Sequence, residues 1–129
     1  MKTKTVGITN LSDQQLSWLL AKHLYPNDEP IKQPELATDG SGYNFMDADQ
    51  EMTFEILNAI EKYKVSVIWR PWIGDEGQWW ACVEDDPISE EVLGVLHTDR
   101  TRAIVLALVA HLEDAKDSLQ AELPEVLCD

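Results

Sequence analysis

The segment that most constrains the fold lies at 64–86 and reads KVSVIWRPWIGDEGQWWACVEDD. It holds four of the chain's five tryptophans. Within 65–70 the residues alternate with a period of two, the pattern of a β-strand with two unlike faces. Pro71 and the GDEG run at 74–77 then interrupt this pattern, because proline cannot donate to a strand ladder and glycine supplies the angles of a reversal. A second apolar run follows at 78–83, so the segment predicts a β-hairpin on which the rest of the chain packs.

Helical and extended patterns surround the hairpin. Ser12 and Gln15 have the spacing of a capping box at a helix start, and Thr98 or Asp99 is placed to cap the last helix. In chain order we predict a frayed end or a brief edge strand at 1–10, a helix at 12–24, a long loop at 25–46 and a helix at 47–64. After the hairpin we predict a third strand at 92–97, a helix ending near 123, and a short tail at 124–129. The fold prediction is therefore one α+β domain over 1–129, a small antiparallel sheet of about three strands sandwiched by helices in the order α-α-β-β-β-α.

Charge is the strongest feature of the composition. The chain carries 24 acidic against 10 basic side chains, a formal net charge of −14, and the excess is greatest after residue 83. Phosphates repel such a surface, which argues against direct binding of nucleic acid. The charge is compatible with a basic protein partner, with mimicry of nucleic acid toward a protein that binds it, or with solubility alone.

Catalytic and metal-binding signatures are absent from the sequence. Gly40-Ser41-Gly42 lacks the lysine and hydroxyl residue that follow in a phosphate-binding loop, and the two cysteines have no zinc spacing. We therefore predict no cofactor, no metal and no enzymatic activity. One alternative stays open, a small hydrolase or transferase in which Cys82 is the nucleophile and His97 its base. The other interpretation of Cys82 is a small buried apolar residue in a reducing cytoplasm.

The candidate binding residues are tryptophans and carboxylates. Adjacent Trp79 and Trp80 must point to opposite faces of a strand, so helices on one face only would leave at least one indole exposed as a contact surface. If helices cover both faces, the tryptophans are structural. Acidic residues before the third strand and along the last helix form the second candidate surface. The acidic run before the third strand could instead bind a hard cation or be a solvated connector without a binding role. The predicted partner-binding residues are Trp69, Trp72, Trp79, Glu84, Asp85, Asp86, Glu90, Glu91, Glu113, Asp114 and Asp117.

A family resemblance joins these elements. The strings LSDQQLSWLLAKHL, ILNAIEKY, VSVIW, WWACV and RAIVLALVAHL, in this order over residues 11–113, resemble the phage ABA sandwich domain family. The resemblance implies a helix–sheet–helix sandwich and a role in phage or prophage biology in the cytoplasm of a bacterial host. It implies no chemistry and carries over no functional residues.

The expected function combines these observations. We expect a small acidic phage or prophage accessory protein that binds a bacterial host protein. A candidate partner is a bacterial defence protein or nucleic-acid-binding protein that is inhibited through an acidic, nucleic-acid-mimicking face. We expect no direct nucleic-acid contact and no membrane, and a monomer or homodimer.

Overall fold

A computed structural model describes residues 2–39, 45, 53–83, 95–97, 99–114 and 119–128 of the chain. Five strands and four α-helices lie within these residues. They are, in chain order, β1 (Thr3–Gly7), α1 (Asp13–Leu24), α2 (Glu29–Lys32), α3 (Thr53–Tyr63), β2 (Val65–Arg70), β3 (Gln78–Val83), β4 (Val95–His97), α4 (Arg100–Leu112) and β5 (Gln120–Pro124).

Helix α4 lies at the centre of the fold. Every residue from Ala103 to Ala110 is buried, as expected of a helix that is apolar on all sides. The helix contacts β2, β3 and β4 on one side and α1 on another. Asp99 caps its first turn by accepting a hydrogen bond from the backbone N–H of Arg102 at 3.2 Å, which confirms the predicted cap.

Helix α1 begins where the sequence predicts. The Ser12 hydroxyl accepts from the Gln15 backbone N–H, and the Gln15 side chain accepts from the Ser12 backbone N–H, so both halves of the capping box form. Residues 16–21 of this helix are all buried. Buried Ser17 accepts a hydrogen bond from the backbone N–H of Phe45 at 3.0 Å. This bond fixes the far end of the predicted 25–46 loop to the core.

The predicted three-stranded antiparallel sheet is present. Strand β3 is central and pairs with β2 on one side and β4 on the other. Its alternate residues Trp79, Ala81 and Val83 contact the hydrophobic core. The α+β class is thus confirmed, and the helices and strands from α1 to α4 follow the predicted order once the short α2 is added.

A second sheet corrects the predicted architecture. Strands β1 and β5 pair antiparallel from Thr3 opposite Pro124 to Gly7 opposite Gln120. The Glu122 carboxylate accepts hydrogen bonds from the hydroxyls of Thr3 at 2.7 Å and Thr5 at 2.6 Å. These bonds lower the pKa of Glu122. The single sheet of about three strands is therefore an incomplete description of the fold.

The last helix is shorter than predicted. It ends at Leu112 rather than near 123, because Asp114 has a left-handed backbone with φ 53°. Residues 120–124 then form β5, in which Ala121 and Leu123 are buried and Gln120 and Glu122 are exposed. This alternation has a period of two, which the helical interpretation overlooked.

Two segments predicted as irregular contain short helices. Within 25–46 the structure has α2 and a 3₁₀ helix at Pro34–Asp39. Trp18 Nε1 donates to the Pro30 carbonyl at 2.9 Å and ties this segment to α1. After Pro124 comes a 3₁₀ helix at Glu125–Leu127, and buried Leu127 accepts from Gln15 Nε2 at 2.5 Å. Both segments therefore pack on the start or middle of α1.

Candidate functional site

The hairpin brings the tryptophans together. Trp69 lies directly opposite Trp79 in the register of β2 and β3, and Ile68 lies opposite Trp80. Cross-strand partners share a face of the sheet, so Trp69 and Trp79 lie on the core-facing side and Trp80 on the other. The prediction that Trp79 and Trp80 point to opposite faces agrees with this register.

On the core-facing side, the Trp69 and Trp79 indoles pack against each other, and the Arg100 guanidinium packs against Trp79. The ring centroids of Trp69 and Trp79 are 5.1 Å apart with an interplanar angle of 57°. The Arg100 guanidinium carbon lies 5.7 Å from the Trp79 centroid. Such contacts contribute roughly 0.5–1 kcal/mol each. The stack joins the N-terminus of α4 to the outer strand of the sheet.

On the opposite face one arginine contacts two indoles. The Arg70 guanidinium carbon lies 5.4 Å from the Trp72 centroid and 5.3 Å from the Trp80 centroid. Trp72 follows Pro71 at the start of the turn, beyond the end of β2. Arg70 therefore ties an indole outside the sheet to an indole inside it, and restricts the position of Trp72.

The exposed part of this cluster lies on both faces of the edge strand β2 and on the turn that follows it. Trp72 is 69% exposed, Ile68 44% and Trp69 41%. Trp79 and Trp80 are half-buried. We call the group of Ile68, Trp69, Arg70 and Trp72 the hairpin surface. Exposed large side chains that are held in fixed positions are typical of protein contact sites.

The described acidic candidates do not form one free face. Glu113 caps the C-terminus of α4, and its side chain is only 12% exposed. Its Oε1 lies 2.8 Å from Lys22 Nζ and 3.2 Å from His23 Nε2. The Lys22 contact is an ion pair, and the His23 contact becomes one when the imidazole is protonated. Burial alone would raise the pKa of Glu113, but the contacts with His23 and Lys22 outweigh burial and lower it.

The placement of Asp114 along the last helix is wrong. Asp114 is exposed, but it lies beyond the end of α4 with φ 53°, so helical spacing does not apply to it. The other acidic candidates lie outside the described residues, namely Glu84, Asp85, Asp86, Glu90, Glu91 and Asp117.

The cysteine–histidine alternative gains no support from the strand register. His97 lies opposite Trp79, three positions along β3 from Cys82. At about 3.3 Å per residue, the two backbone positions are separated by roughly 10 Å along the strand. Cys82 is buried. A nucleophile and its base must lie within hydrogen-bond reach of one another, which this register does not provide.

No other chemistry emerges from the described residues. They contain no group of three or more histidine, cysteine, aspartate or glutamate side chains placed to hold a metal ion. A cavity of about 390 Å³ opens near the paired chain ends, over the buried Pro34 and Pro124. Lys2, Lys32, Glu35 and Glu125 line its rim, so opposite charges balance there.

Sequence reasoning missed Arg70 and Arg100 as parts of the site. Arg70 had a signal, since an arginine placed two positions diagonally from Trp80 across a hairpin is within reach of its ring. Arg100 had none, because its contact with Trp79 depends on how α4 packs.

No family model, curated protein or solved structure matches this chain. Within the described part of the chain, no helix is long and apolar enough to cross a membrane.

Proposed function

We propose that the protein acts by binding another protein through the hairpin surface. The observation that carries the proposal is the exposure of Trp69 and Trp72 at fixed positions on one hairpin. Tryptophan and arginine are the residues most enriched among those that dominate binding energy at protein interfaces. Because their positions are already restricted by Arg70 and by the Trp79 stack, little side-chain entropy is lost on binding.

The resemblance to the phage ABA sandwich domain family suggests the setting of this activity. We propose an accessory protein of phage or prophage origin that binds a host protein in the bacterial cytoplasm and catalyses no reaction. A net charge of −14 disfavours nucleic acid as the partner, since the phosphate backbone is repelled. The support for a protein partner is therefore the combination of exposed indoles with an acidic general field.

The acidic face remains the second candidate. Residues after 83 hold half of the chain's 24 acidic side chains and only three of its ten basic ones. Glu113 is excluded from that face by its ion pair with Lys22 and its contact with His23. An inhibitor that mimics nucleic acid would therefore depend on the acidic connector, with Glu84, Asp85 and Asp86 at its start.

To test this, a partner is captured from host lysate with the protein as bait and is purified. The Kd of its complex with the protein is then measured. Trp72→Ala should weaken binding by about 30-fold or more, because truncating a dominant interface residue costs about 2 kcal/mol or more. The matched control is Leu57→Ala, which removes an apolar side chain that is 56% exposed on α3. The control should bind like the wild type.

The same assay separates the two surfaces. Changing Glu84, Asp85 and Asp86 to their amides leaves the tryptophans intact and removes three charges. If that variant loses affinity and flattens the salt dependence while Trp72→Ala binds normally, the hairpin proposal fails and the acidic face is favoured. Equal affinity of Trp72→Ala and wild type also refutes the hairpin proposal.

A further inference from the structure

Two exposed carboxylates lie in the turn beside the hairpin surface, and we call Asp75 and Glu76 the turn carboxylates. The turn joins β2 to β3 and is closed by the pairing of Arg70 with Gln78. Consecutive Cα atoms are about 3.8 Å apart, so the Cα of Asp75 lies at most about 11 Å from that of Trp72. A partner segment of about four extended residues is therefore long enough to contact both the indole and the carboxylates.

The turn carboxylates are not paired with a cation of the protein. Neither forms an ion pair or a side-chain hydrogen bond within the described part of the chain. The nearest basic residue along the chain, Arg70, places its guanidinium against the rings of Trp72 and Trp80 instead. The next one, Lys64, precedes the first residue of β2, roughly 20 Å from Arg70 along the strand. Both carboxylates therefore remain available to a cation from outside.

Arg70 also decides which group of a partner fits on Trp72. The Arg70 guanidinium carbon lies 5.4 Å from the centroid of the Trp72 ring, and the Trp72 side chain is 69% exposed. Arg70 would repel a second cation placed on this ring, whereas an apolar side chain would cover the indole without that repulsion. A matching partner therefore has an apolar group for Trp72 and its cation at the turn carboxylates.

We propose that the partner segment which binds the hairpin surface is basic, with a lysine or arginine at the turn carboxylates and an apolar side chain beside it on Trp72. This assignment rests on the proposed function, which supplies the contact through Trp72, and adds the charge of the partner. The net charge of −14 attracts a basic segment from a distance. The turn carboxylates then fix where its cation lies, because complementary charges beside an apolar contact set the register of a complex.

Segments of other charge fit this turn less well. An acidic segment would place like charges beside the turn carboxylates, within a field that already repels it. A neutral apolar segment would cover the indole, but it would partly desolvate two carboxylates without supplying a cation. A basic segment is the one class that gains from both the indole and the turn.

Three short synthetic peptides test the charge of the partner segment. The first alternates arginine with leucine, and the others carry glutamine or glutamate in place of every arginine. Each is titrated into the isotope-labelled protein, and Kd is obtained from the shifts in its NMR spectrum. We expect the arginine peptide to bind about tenfold more tightly than the glutamine peptide at low salt. Its affinity should fall as salt is added, and the glutamate peptide should bind most weakly.

Substitutions then locate the contact on the protein. Asp75→Asn with Glu76→Gln should remove most of the advantage of the arginine peptide over the glutamine peptide. Trp72→Ala should weaken both of these peptides. The control, Glu61→Gln with Glu125→Gln, removes as many charges at exposed positions outside the turn and should bind like the wild type. Circular dichroism verifies that each variant is folded.

The outcomes distinguish failure of this assignment from failure of the proposed function. If the glutamine peptide binds as tightly as the arginine peptide and Trp72→Ala weakens both, the basic segment is refuted and the hairpin proposal stands. Equal weakening by the control and by the turn variant also refutes the basic segment, because the charge then acts only through the general field. An arginine peptide that fails to bind refutes it too, and the captured partner still tests the hairpin surface. If Trp72→Ala binds the peptides like the wild type, both proposals fail.

Discussion

Gly77 is the position where the hairpin surface depends most sharply on one residue. Its backbone is left-handed, with φ 86°. A Cβ at this position would lie 2.5 Å from Trp69 Cζ2 and 2.9 Å from Cη2, and 3.0 Å from the backbone Cα of Pro71. The exposed Trp69 indole therefore occupies the space that a Cβ at position 77 would need. Gly77→Ala would force the ring away from Trp79 or distort the turn.

The expected cost has two parts. A left-handed backbone costs a residue with a Cβ about 1–2 kcal/mol, and overpacking of a closed contact costs about 1–3 kcal/mol. Gly77→Ala should therefore lower the free energy of unfolding by about 2–5 kcal/mol. Gly74→Ala is the matched control, because Gly74 has φ 71° but its nearest neighbour, Gln78 Nε2, would be 4.0 Å from the Cβ. It should show the backbone part alone, about 1–2 kcal/mol.

Urea unfolding followed by far-ultraviolet circular dichroism measures both costs without depending on indole fluorescence. A double-mutant cycle with Trp69→Ala then isolates the ring contact. In that background Gly77→Ala should lose much of its excess cost, keeping only the part due to Pro71. Equal destabilisation by Gly77→Ala and Gly74→Ala would show that the indole does not rest on Gly77, and would refute the reasoning.

Three further predictions concern the rest of the chain. Ser12→Ala should lower the free energy of unfolding by about 1 kcal/mol, because it removes half of the capping box; urea unfolding will show whether it does. Glu113→Gln should cost about 1 kcal/mol at neutral pH. Because the pKa of Glu113 is lowered from its ordinary 4.5, this stabilisation is present above that pH and lost as pH falls through the lowered pKa, so unfolding curves of variant and wild type should converge in acid. Native protein treated with iodoacetamide should react at half-buried Cys128 before buried Cys82, and rapid labelling of Cys82 near neutral pH would instead revive the cysteine-dependent alternative.

The local parts of the fold were predictable from sequence. The capping box at Ser12 and the cap at Asp99 depend on residues three positions apart, and both form. The hairpin depends on alternation and turn residues within one short segment, and its register places Trp69 opposite Trp79. In each case the determining contacts are close along the chain, where residue patterns carry most of their information.

The second sheet could not be predicted in the same way. Strand β1 is polar and mostly exposed, and its partner β5 is 119 residues away at the Thr3–Glu122 hydrogen bond. The sequence of neither strand alone indicates which strand it pairs with. The end of α4 was missed for a related reason, because the Glu113 cap is fixed by Lys22 and His23 of another helix.

The candidate site was predictable in its residues but not in its arrangement. The sequence singled out Trp69, Trp72 and Trp79, and two of these are exposed in the structure. Their fixed positions depend on Arg100, which sequence reasoning did not single out, and on Gly77, which it singled out only as a turn residue. Arg100 reaches Trp79 only because α4 packs beside β3. Exposure and packing are properties of the whole fold, so a single segment does not determine them.

The distribution of basic residues explains why short-range contacts should decide what the protein binds. Lys22 pairs with Glu113, Arg102 pairs with Asp13 at 2.6 Å, and Arg70 and Arg100 lie against indole rings. These cations are engaged inside the molecule, whereas most of the acidic excess has no basic counterpart in the sequence. The electrostatic potential around the protein is therefore negative. It discriminates between partners only by the sign of their charge and its distance. Discrimination between partners of similar charge has to come from shape and apolar contact, and among the described residues the hairpin surface offers both.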